Sequence, residues 1–309
     1  MQDHADTARL QEQHVCWPPD AARLQEQYVC RLPDAARLHA AQTLRECESR
    51  RSNDIHKIQE WLRTQPKLHA RSDAGSVLRF LRGCKFNEER TRHKLTNFYV
   101  MKAKVPEWFS SRDPLLPPLQ EMLNLGVFLP LRRHGADGAL TILIRTAVHN
   151  PQTQALDGVF KVGNMVVDAL LEEDELVSVY GVVAVCDLAG VSLGHARQLT
   201  PSIIKKAVHS WQSCYPIRIK SMVFINAPFH VGVILNIFKR FMTEKLRKRV
   251  QIFYKGTEYL KGIPSPDLLP QEYGGEAGKL QDLIDYWREH MVELRDWLLE
   301  EEKYKADVS

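Results

Sequence analysis

Apolar residues recur along this chain in two rhythms, and the change of rhythm divides it. Between residues 40 and 64 the spacing of Leu44, Ile55, Ile58, Trp61 and Leu62 is helical, and it stops at Gln65-Pro66, where proline ends a helix. Asp73 is placed to cap a second helix carrying Val77, Leu78, Phe80 and Leu81. Asn87 caps a third over Glu88 to Lys104, with Leu95, Phe98, Tyr99 and Met101 as its apolar residues. Together these predict a small helical domain ending near Pro106 to Pro118. Beyond it, Leu140 to Ile144, Val182 to Cys186, Met222 to Ile225 and Val250 to Phe253 are short, mostly β-branched runs. Helical stretches at 157–173, 201–213 and 229–248 separate them. Strands alternating with helices predict an α/β domain whose mostly parallel sheet is flanked and covered by helices. A last amphipathic helix sets Leu280, Leu283, Ile284, Trp287, Met291, Leu294 and Leu298 on one stripe, with its acids facing water.

The first 47 residues follow neither rhythm. Asp6 to Pro19 and Asp20 to Pro33 are tandem units of 14 residues identical at 10 positions, and a third unit begins at Asp34-Ala-Ala-Arg-Leu38 before diverging. Each unit is one short helical pattern closed by proline, too brief to bury a core. The expected organisation is a weakly ordered arm over 1–47, a helical domain over 48–110, the α/β domain over 119–277 and an acidic amphipathic helix over 278–309.

Composition narrows the function. The chain has 309 residues, 44% of them hydrophobic, enough for a substantial core. The longest mainly apolar stretch, Leu176 to Cys186, has 11 residues and contains Ser178, far short of the roughly 20 that span a bilayer. With no basic, apolar start to suggest a secretory signal, the cytosol is the expected compartment. The six cysteines (16, 30, 47, 84, 186 and 214) show no C-x-x-C spacing, which points to reduced thiols. The net charge of +4 hides an asymmetry: residues 205–255 hold 11 Lys and Arg against the single acid Glu244, whereas 282–302 hold eight acids against Arg288 and Arg295.

Enzymatic leads are few. Gly190-Val-Ser192-Leu-Gly194 spells the G-x-S-x-G nucleophile elbow of α/β hydrolases, with Asp267 and His290 following in triad order. Yet Asp187 to Gly190 already leaves the strand, and His134 to Gly138 looks like a hairpin turn, not an oxyanion loop. Ser192 therefore reads as a loop residue or helix cap, and no catalytic residue is expected. Phosphate-binding glycine loops and H-E-x-x-H are absent, so neither a nucleotide cofactor nor a metal is expected. Scattered histidines, among them His195, His209 and His230, read as surface or satisfied core groups. The basic residues lack the interleaved aromatics of a nucleic-acid surface.

Two features point elsewhere. From Phe229 to Met242 the chain is apolar on two helical stripes, Phe229-Val233-Ile237 and Ile234-Phe238-Phe241. One stripe suffices for a surface helix, so the second meets core, ligand or membrane; a lid over an apolar cavity fits the pattern. Beside it, Arg218 and Lys220 share a strand face by period two, and Lys245 and Arg249 lie one turn apart on a helix, a cluster suited to phosphate oxygens.

In the order of its motifs the chain resembles the CRAL-TRIO family of lipid-binding proteins, and within it the tocopherol carriers most nearly. The motifs are Leu78-Arg-Phe-Leu-Arg82 with Phe86, Val185-Cys-Asp-Leu-Ala-Gly190 with His195, and Thr200-Pro-Ser with Lys205-Lys206. Tyr215-Pro-Ile-Arg-Ile-Lys220, Ile225-Asn-Ala-Pro228, Thr243-Glu-Lys245 and Leu269-Pro-Gln-Glu-Tyr-Gly-Gly275 complete the series. The resemblance spans residues 50 to 300. It implies a three-helix N-terminal domain, a lipid-binding domain with a movable helical gate, and no catalysis. By position it implies a cavity wall of Phe160, Asn164, Val167, Cys186, Trp211, Ile219 and Met222, closed by Phe229, Val233 and Ile237. It also implies a phosphoinositide site on Arg218, Lys220, Lys245 and Arg249. This chain departs from the family pattern at Cys84, where a basic residue is usual and Lys85 stands beside it, and at Gly163, Asn164 and Trp211 in the wall. The expected function is binding and transfer of one hydrophobic lipid, tocopherol-, retinoid- or carotenoid-like, coupled to phosphatidylinositol bisphosphate at the membranes on which the protein docks reversibly from the cytoplasm. The alternative is a lipid-regulated trafficking adaptor, and more remotely a hydrolase using Ser192.

Overall fold

A computed structural model describes residues 28–228, 231–254 and 258–308. Its first helix, α1 (Asp34–His39), runs into a π-helical turn, Ala40–Leu44, that ends where Arg45 takes a left-handed conformation (φ 66°). Leu32, Ala36, Ala40 and Leu44 are buried here with Val179, so the third repeat unit, expected to be weakly ordered, is a docked segment. The physical reason lies where the units diverge. Fourteen residues earlier, Glu26 stands where Ala40 is and Cys30 where Leu44 is, so only the third register presents an uncharged, fully apolar face. Glu46 fastens the segment, accepting from Arg82 Nε at 2.8 Å and Arg51 Nε at 2.6 Å.

Three helices, α2 (Glu48–Arg63), α3 (Ala74–Gly83) and α4 (Glu88–Lys104), form the N-terminal domain. The caps are those expected: the Asp73 carboxylate accepts from Ser76 N at 2.8 Å and the Asn87 side chain from Arg90 N at 2.9 Å. Leu78, Phe80 and Leu81 enter the core, while the two arginines of the Leu-Arg-Phe-Leu-Arg motif tie domains together. Arg79 pairs with Glu172 at 2.7 Å, and Arg82, with no exposed side chain, pairs with Glu46 and with Glu175 at 2.7 Å. Gly83 lets this helix approach the next domain, since a Cβ there would lie 2.7 Å from the Pro216 carbonyl oxygen. Short helices α5 (Pro106–Phe109) and α6 (Pro117–Leu125), each begun by proline, lead to the sheet.

The sheet has five strands in the order β1 (Phe128–Pro130), β2 (Leu140–Arg145), β3 (Val182–Asp187), β4 (Ile219–Ile225) and β5 (Val250–Ile252). The hairpin through His134 to Gly138 makes β1 antiparallel to β2; the remaining pairs are parallel. Strand β1 escapes sequence reading because it has three residues, the last a proline, and no alternation to detect. Crossovers carry α7 (Leu156–Glu173) and α8 (Glu175–Tyr180), then α9 (Leu193–Gln198) and α10 (Pro201–His209) with a π turn Ser210–Cys214. The last crossover carries α11 (Gly232–Phe241) and α12 (Glu244–Arg247). The stretch 229–248, read as one helix, is broken at Met242, whose backbone is extended (ψ 142°), and Thr243 caps the second piece.

Period-two alternation assigns the two sheet faces. Val183, Val185, Val223 and Ile225 join a core with Tyr259, Ile263, Leu268, Leu269 and Tyr273 from the segment after β5. Three motif residues knot the strand ends: Asp187 accepts from Asn226 Nδ2 at 2.8 Å and from Tyr273 Oη at 2.6 Å. A Cβ at Gly275 would lie 2.0 Å from the Leu269 carbonyl oxygen, which accounts for glycine at the end of that motif.

Helices α13 (Leu280–Glu293) and α14 (Arg295–Glu301) close the molecule, with Trp287 Nε1 donating to the Pro130 carbonyl at 2.8 Å. One acid of this stretch departs from its expected place in water. Glu301 is buried and accepts from Arg71 Nε and, at 3.3 Å, from Lys102 Nζ. Burial alone raises a carboxyl, but the Lys102 and Arg71 charges outweigh it and hold Glu301 at about 2. A depressed carboxyl stabilises the fold above its ordinary value of 4.5 and loses that contribution as pH falls towards 2. Glu301→Gln is therefore expected to cost roughly 3 kcal/mol in urea unfolding at pH 7, with the gap to wild type closing between pH 4.5 and 2; a gap independent of pH contradicts this role.

Candidate ligand cavity and adjoining basic surface

The other sheet face is apolar but incompletely filled. Ile142 and Ile144 of β2, Ala184 and Cys186 of β3, and Met222 and Phe224 of β4 floor a cavity of ≈ 180 Å³. Phe160, Asn164 and Val167 of α7 form one wall, Trp211 another, and Val231, Ile234, Leu235 and Phe238 the roof. Phe160 is fixed by stacking on Trp108 at 4.3 Å, whose Nε1 donates to Asp157 at 2.7 Å. Among the described residues no Asp, Glu, Lys or Arg lines the space. It is comparable to an engineered apolar cavity of about 150 Å³ that stays dry and binds benzene. A longer molecule needs the roof helix α11 to move outward.

Seven of the ten residues placed in the wall by resemblance line it: Phe160, Asn164, Val167, Cys186, Trp211, Ile219 and Met222. Phe229 lies outside the described residues. Val233 and Ile237 do not line it, and the roof is made by the second stripe instead: Ile234 and Phe238, together with Leu235. Phe238 lies parallel to Trp211 with centroids 6.3 Å apart. Val233 is 70% exposed and turns outward, while Ile237 is half-buried against the neighbouring apolar cluster without reaching the cavity. Periodicity finds both stripes of such a helix but cannot say which turns inward.

The cations converge. The register of β4 slips against β3, with Val182 opposite Ile219 and Val183 opposite Ser221. Lys220 is thereby bulged out of the ladder and exposed, and the period-two relation to Arg218 gives way. Arg218, just before the strand, donates to the Val179 carbonyl, and burial together with the Arg249 charge pulls it down to about 10. Arg249 donates to the Ile219 carbonyl. Lys245 is pulled down by burial and then by Arg249, Lys85, Arg218 and Arg90. Glu244, the one acid of residues 205–255, pairs with Lys248 at 2.7 Å. Arg218, Lys220, Lys245 and Arg249 are thus left without a carboxylate partner among the described residues. Lys85 belongs to the same field; its left-handed backbone (φ 55°) presents it from the turn after α3, while Cys84 is buried. Local sequence could not place Lys85 there, because the turn and strand meet only in the folded chain.

Ser192 is the N-cap of α9. Its Oγ lies 2.8 Å from His195 Nδ1, and His195 Nε2 lies 3.0 Å from the His149 carbonyl. A backbone carbonyl, not a carboxylate, orients this imidazole. His290 meets Glu173 and Glu293, and Asp267 lies within the turn Pro266–Leu268, so neither serves as the partner a triad needs.

A sheet floor, a helix-roofed apolar cavity and a cationic cluster beside it define a class of protein that encloses a hydrophobic ligand. Residues 125–275 match the CRAL/TRIO domain, and residues 47–119 the Pinta-like UBA domain. The chain is 30% identical over 242 residues to mouse (Mus musculus) "Alpha-tocopherol transfer protein-like", covering 78% of this chain and 70% of that protein. It is 26% identical over 223 residues to Clavesin-1 of Xenopus laevis, covering 72% and 67% respectively. The crystal structure of Sfh5 superposes with a TM-score of 0.55 at 14% identity, over 82% of this chain and 99% of that one, which shows a shared fold. The chain belongs to the CRAL/TRIO family of lipid-binding and transfer proteins. No helix among the described residues is long and apolar enough to cross a membrane.

With Ser192 acting as a cap, Ser192→Ala should cost about 1 kcal/mol in denaturant unfolding; a change near zero shows the cap to be idle.

Proposed function

We propose that this protein binds one hydrophobic lipid in the cavity beneath α11 and transfers it at phosphoinositide-bearing membranes, docking there reversibly from the cytoplasm without catalysis. The observation that carries the proposal is the adjacency of two unsatisfied features. An uncharged apolar space is roofed by a helix with Val233 turned outward, and four cations without carboxylate partners stand in the segments on either side of that helix. The clustered charge suits the bisphosphate of phosphatidylinositol bisphosphate, whose dense oxygens can take several donors at once. Docking would bring α11 to the acyl boundary, where Val233 gains an apolar environment, and outward movement of the roof gives the cargo a path from dry protein to dry bilayer. The relatives named for alpha-tocopherol transfer support a cargo of tocopherol character, and the uncharged apolar lining suits a retinoid or carotenoid as well.

Transfer of a fluorescent tocopherol or retinoid analogue between donor and acceptor vesicles tests the carrier role. Acceptors containing phosphatidylinositol bisphosphate should accelerate it. If the protein binds such vesicles yet moves no analogue, a trafficking adaptor is the better reading. Reversing Arg218, Lys220, Lys245 and Arg249 to Glu should lower vesicle affinity at least tenfold at low salt, with a smaller effect at high salt; unchanged cosedimentation removes the headgroup site. Ester hydrolysis abolished by Ser192→Ala would contradict the absence of catalysis.

A further inference from the structure

One polar group in the wall is left unexplained by carriage of an apolar molecule alone. Asn164 is 7% exposed, lines the cavity from the middle of α7, and its Nδ2 has no hydrogen-bond partner among the described residues. Its cavity-lining neighbours on that helix, Phe160, Gly163 and Val167, are apolar. A buried amide without a partner destabilises the fold, and an isosteric leucine would pack here without that cost. Folding therefore gives no reason for asparagine at this position.

The other polar groups around the cavity have a hydrogen-bond partner or a polar neighbour. Thr146 Oγ1 donates to the Asp187 carbonyl at 2.7 Å, and both His195 nitrogens are engaged by Ser192 and the His149 carbonyl. His149 Nε2 meets Gln198 at 3.0 Å, and its other side faces the Thr146 backbone. The Tyr215 hydroxyl faces Asp168 and Arg112, themselves paired at 2.7 Å. Among the described residues His149 Nδ1 and the Tyr215 hydroxyl also lack a hydrogen-bond partner, but each has a polar group beside it, and Asn164 Nδ2 is the one side-chain amide donor in the wall left free.

We infer that Asn164 anchors the polar end of the cargo, and that the cargo is an uncharged lipid bearing a hydroxyl or carbonyl oxygen. The inference rests on the carrier reading and narrows it. A carboxylate or phosphate head would be buried with no countercharge, since no Lys or Arg among the described residues lines the cavity. A plain hydrocarbon would leave the amide unpaired. A neutral oxygen accepts from Nδ2 and removes the cost, so discrimination comes from pairing a group that is otherwise stranded.

Small probes test this without requiring the roof to open. Calorimetric titration of the full chain with n-butylbenzene, 4-n-butylphenol and 4-n-butylbenzoate compares hydrocarbon, neutral and charged heads on one scaffold. In wild type the benzoate should fail to bind at concentrations where the phenol saturates. Asn164→Leu should lower the ratio of phenol to hydrocarbon affinity by roughly 5- to 50-fold, and the melting temperature of the unliganded variant should equal or exceed that of wild type. An unchanged affinity ratio overturns the proposal, and so does tight benzoate binding. A lowered melting temperature overturns it too, because the amide would then be a structural group. Failure of wild type to bind either neutral probe denies the cavity itself and removes the carrier reading together with the anchor, an outcome distinct from a cavity that binds both without discrimination.

Discussion

Protein interiors pack to the density of organic crystals, and a space lined by apolar side chains forfeits contacts along every wall. The cavity between the sheet, α7, the π turn that carries Trp211 and α11 is such a space, and much of the rest of the molecule can be understood as compensation for it. The opposite sheet face is closed by the segment after β5, knotted through Asp187, Asn226 and Tyr273. Ion pairs hold the helical domain to the α/β domain, Arg79 with Glu172 and Arg82 with Glu175, and tie the segment before it and the last helix to it, Glu46 with Arg82 and Glu301 with Lys102 and Arg71. Such pairs add little against a hydrophobic alternative but are strongly destabilising to break. They fix the frame around a space that must stay open, while the stiffness needed there is supplied from outside the cavity.

The roof stands apart from this frame. Helix α11 is joined to the body by apolar contacts beneath Ile234, Leu235 and Phe238, and its outer side carries an exposed valine. Nondirectional apolar contacts can be exchanged for lipid at little cost, whereas an ion pair cannot. The cationic cluster is built the opposite way. Its arginines are braced by the Val179 and Ile219 carbonyls, so repulsion among them is held in place instead of relaxing into solvent. A polyanion would relieve that repulsion, and in the proposed function this couples the basic surface to the neighbouring roof helix.

Much of the fold was legible in the sequence because it rests on local signals. The caps Asp73 and Asn87, the four β-branched runs and the helical stripes each lie within a few residues of the feature they specify. What escaped was set by distant partners or by short elements. β1 is three residues long, and the bulge at Lys220 appears only once β3 is alongside. Whether Val233 or Ile234 faces inward is decided by Trp211, more than twenty residues away. Repetition at the N-terminus read as a weakly ordered arm over 1–47, of which residues 1–27 lie outside the described residues; in the third unit the substitutions to Ala40, Leu44 and Glu46 were the signal of docking. Among the wall residues the one polar departure, Asn164, was visible as an oddity. Its lack of a partner was not.

The central claim is that the space beneath α11 is made for cargo. Protein purified from the tissue that expresses it, extracted with organic solvent and analysed by mass spectrometry, tests this most directly. An apolar lipid recovered near one equivalent per chain, and lost when Trp211 and Phe238 are both replaced by charged residues, is the predicted result. Extracts holding no lipid above the background of an unrelated protein, or the same lipid at the same yield from the charged variant, contradict it.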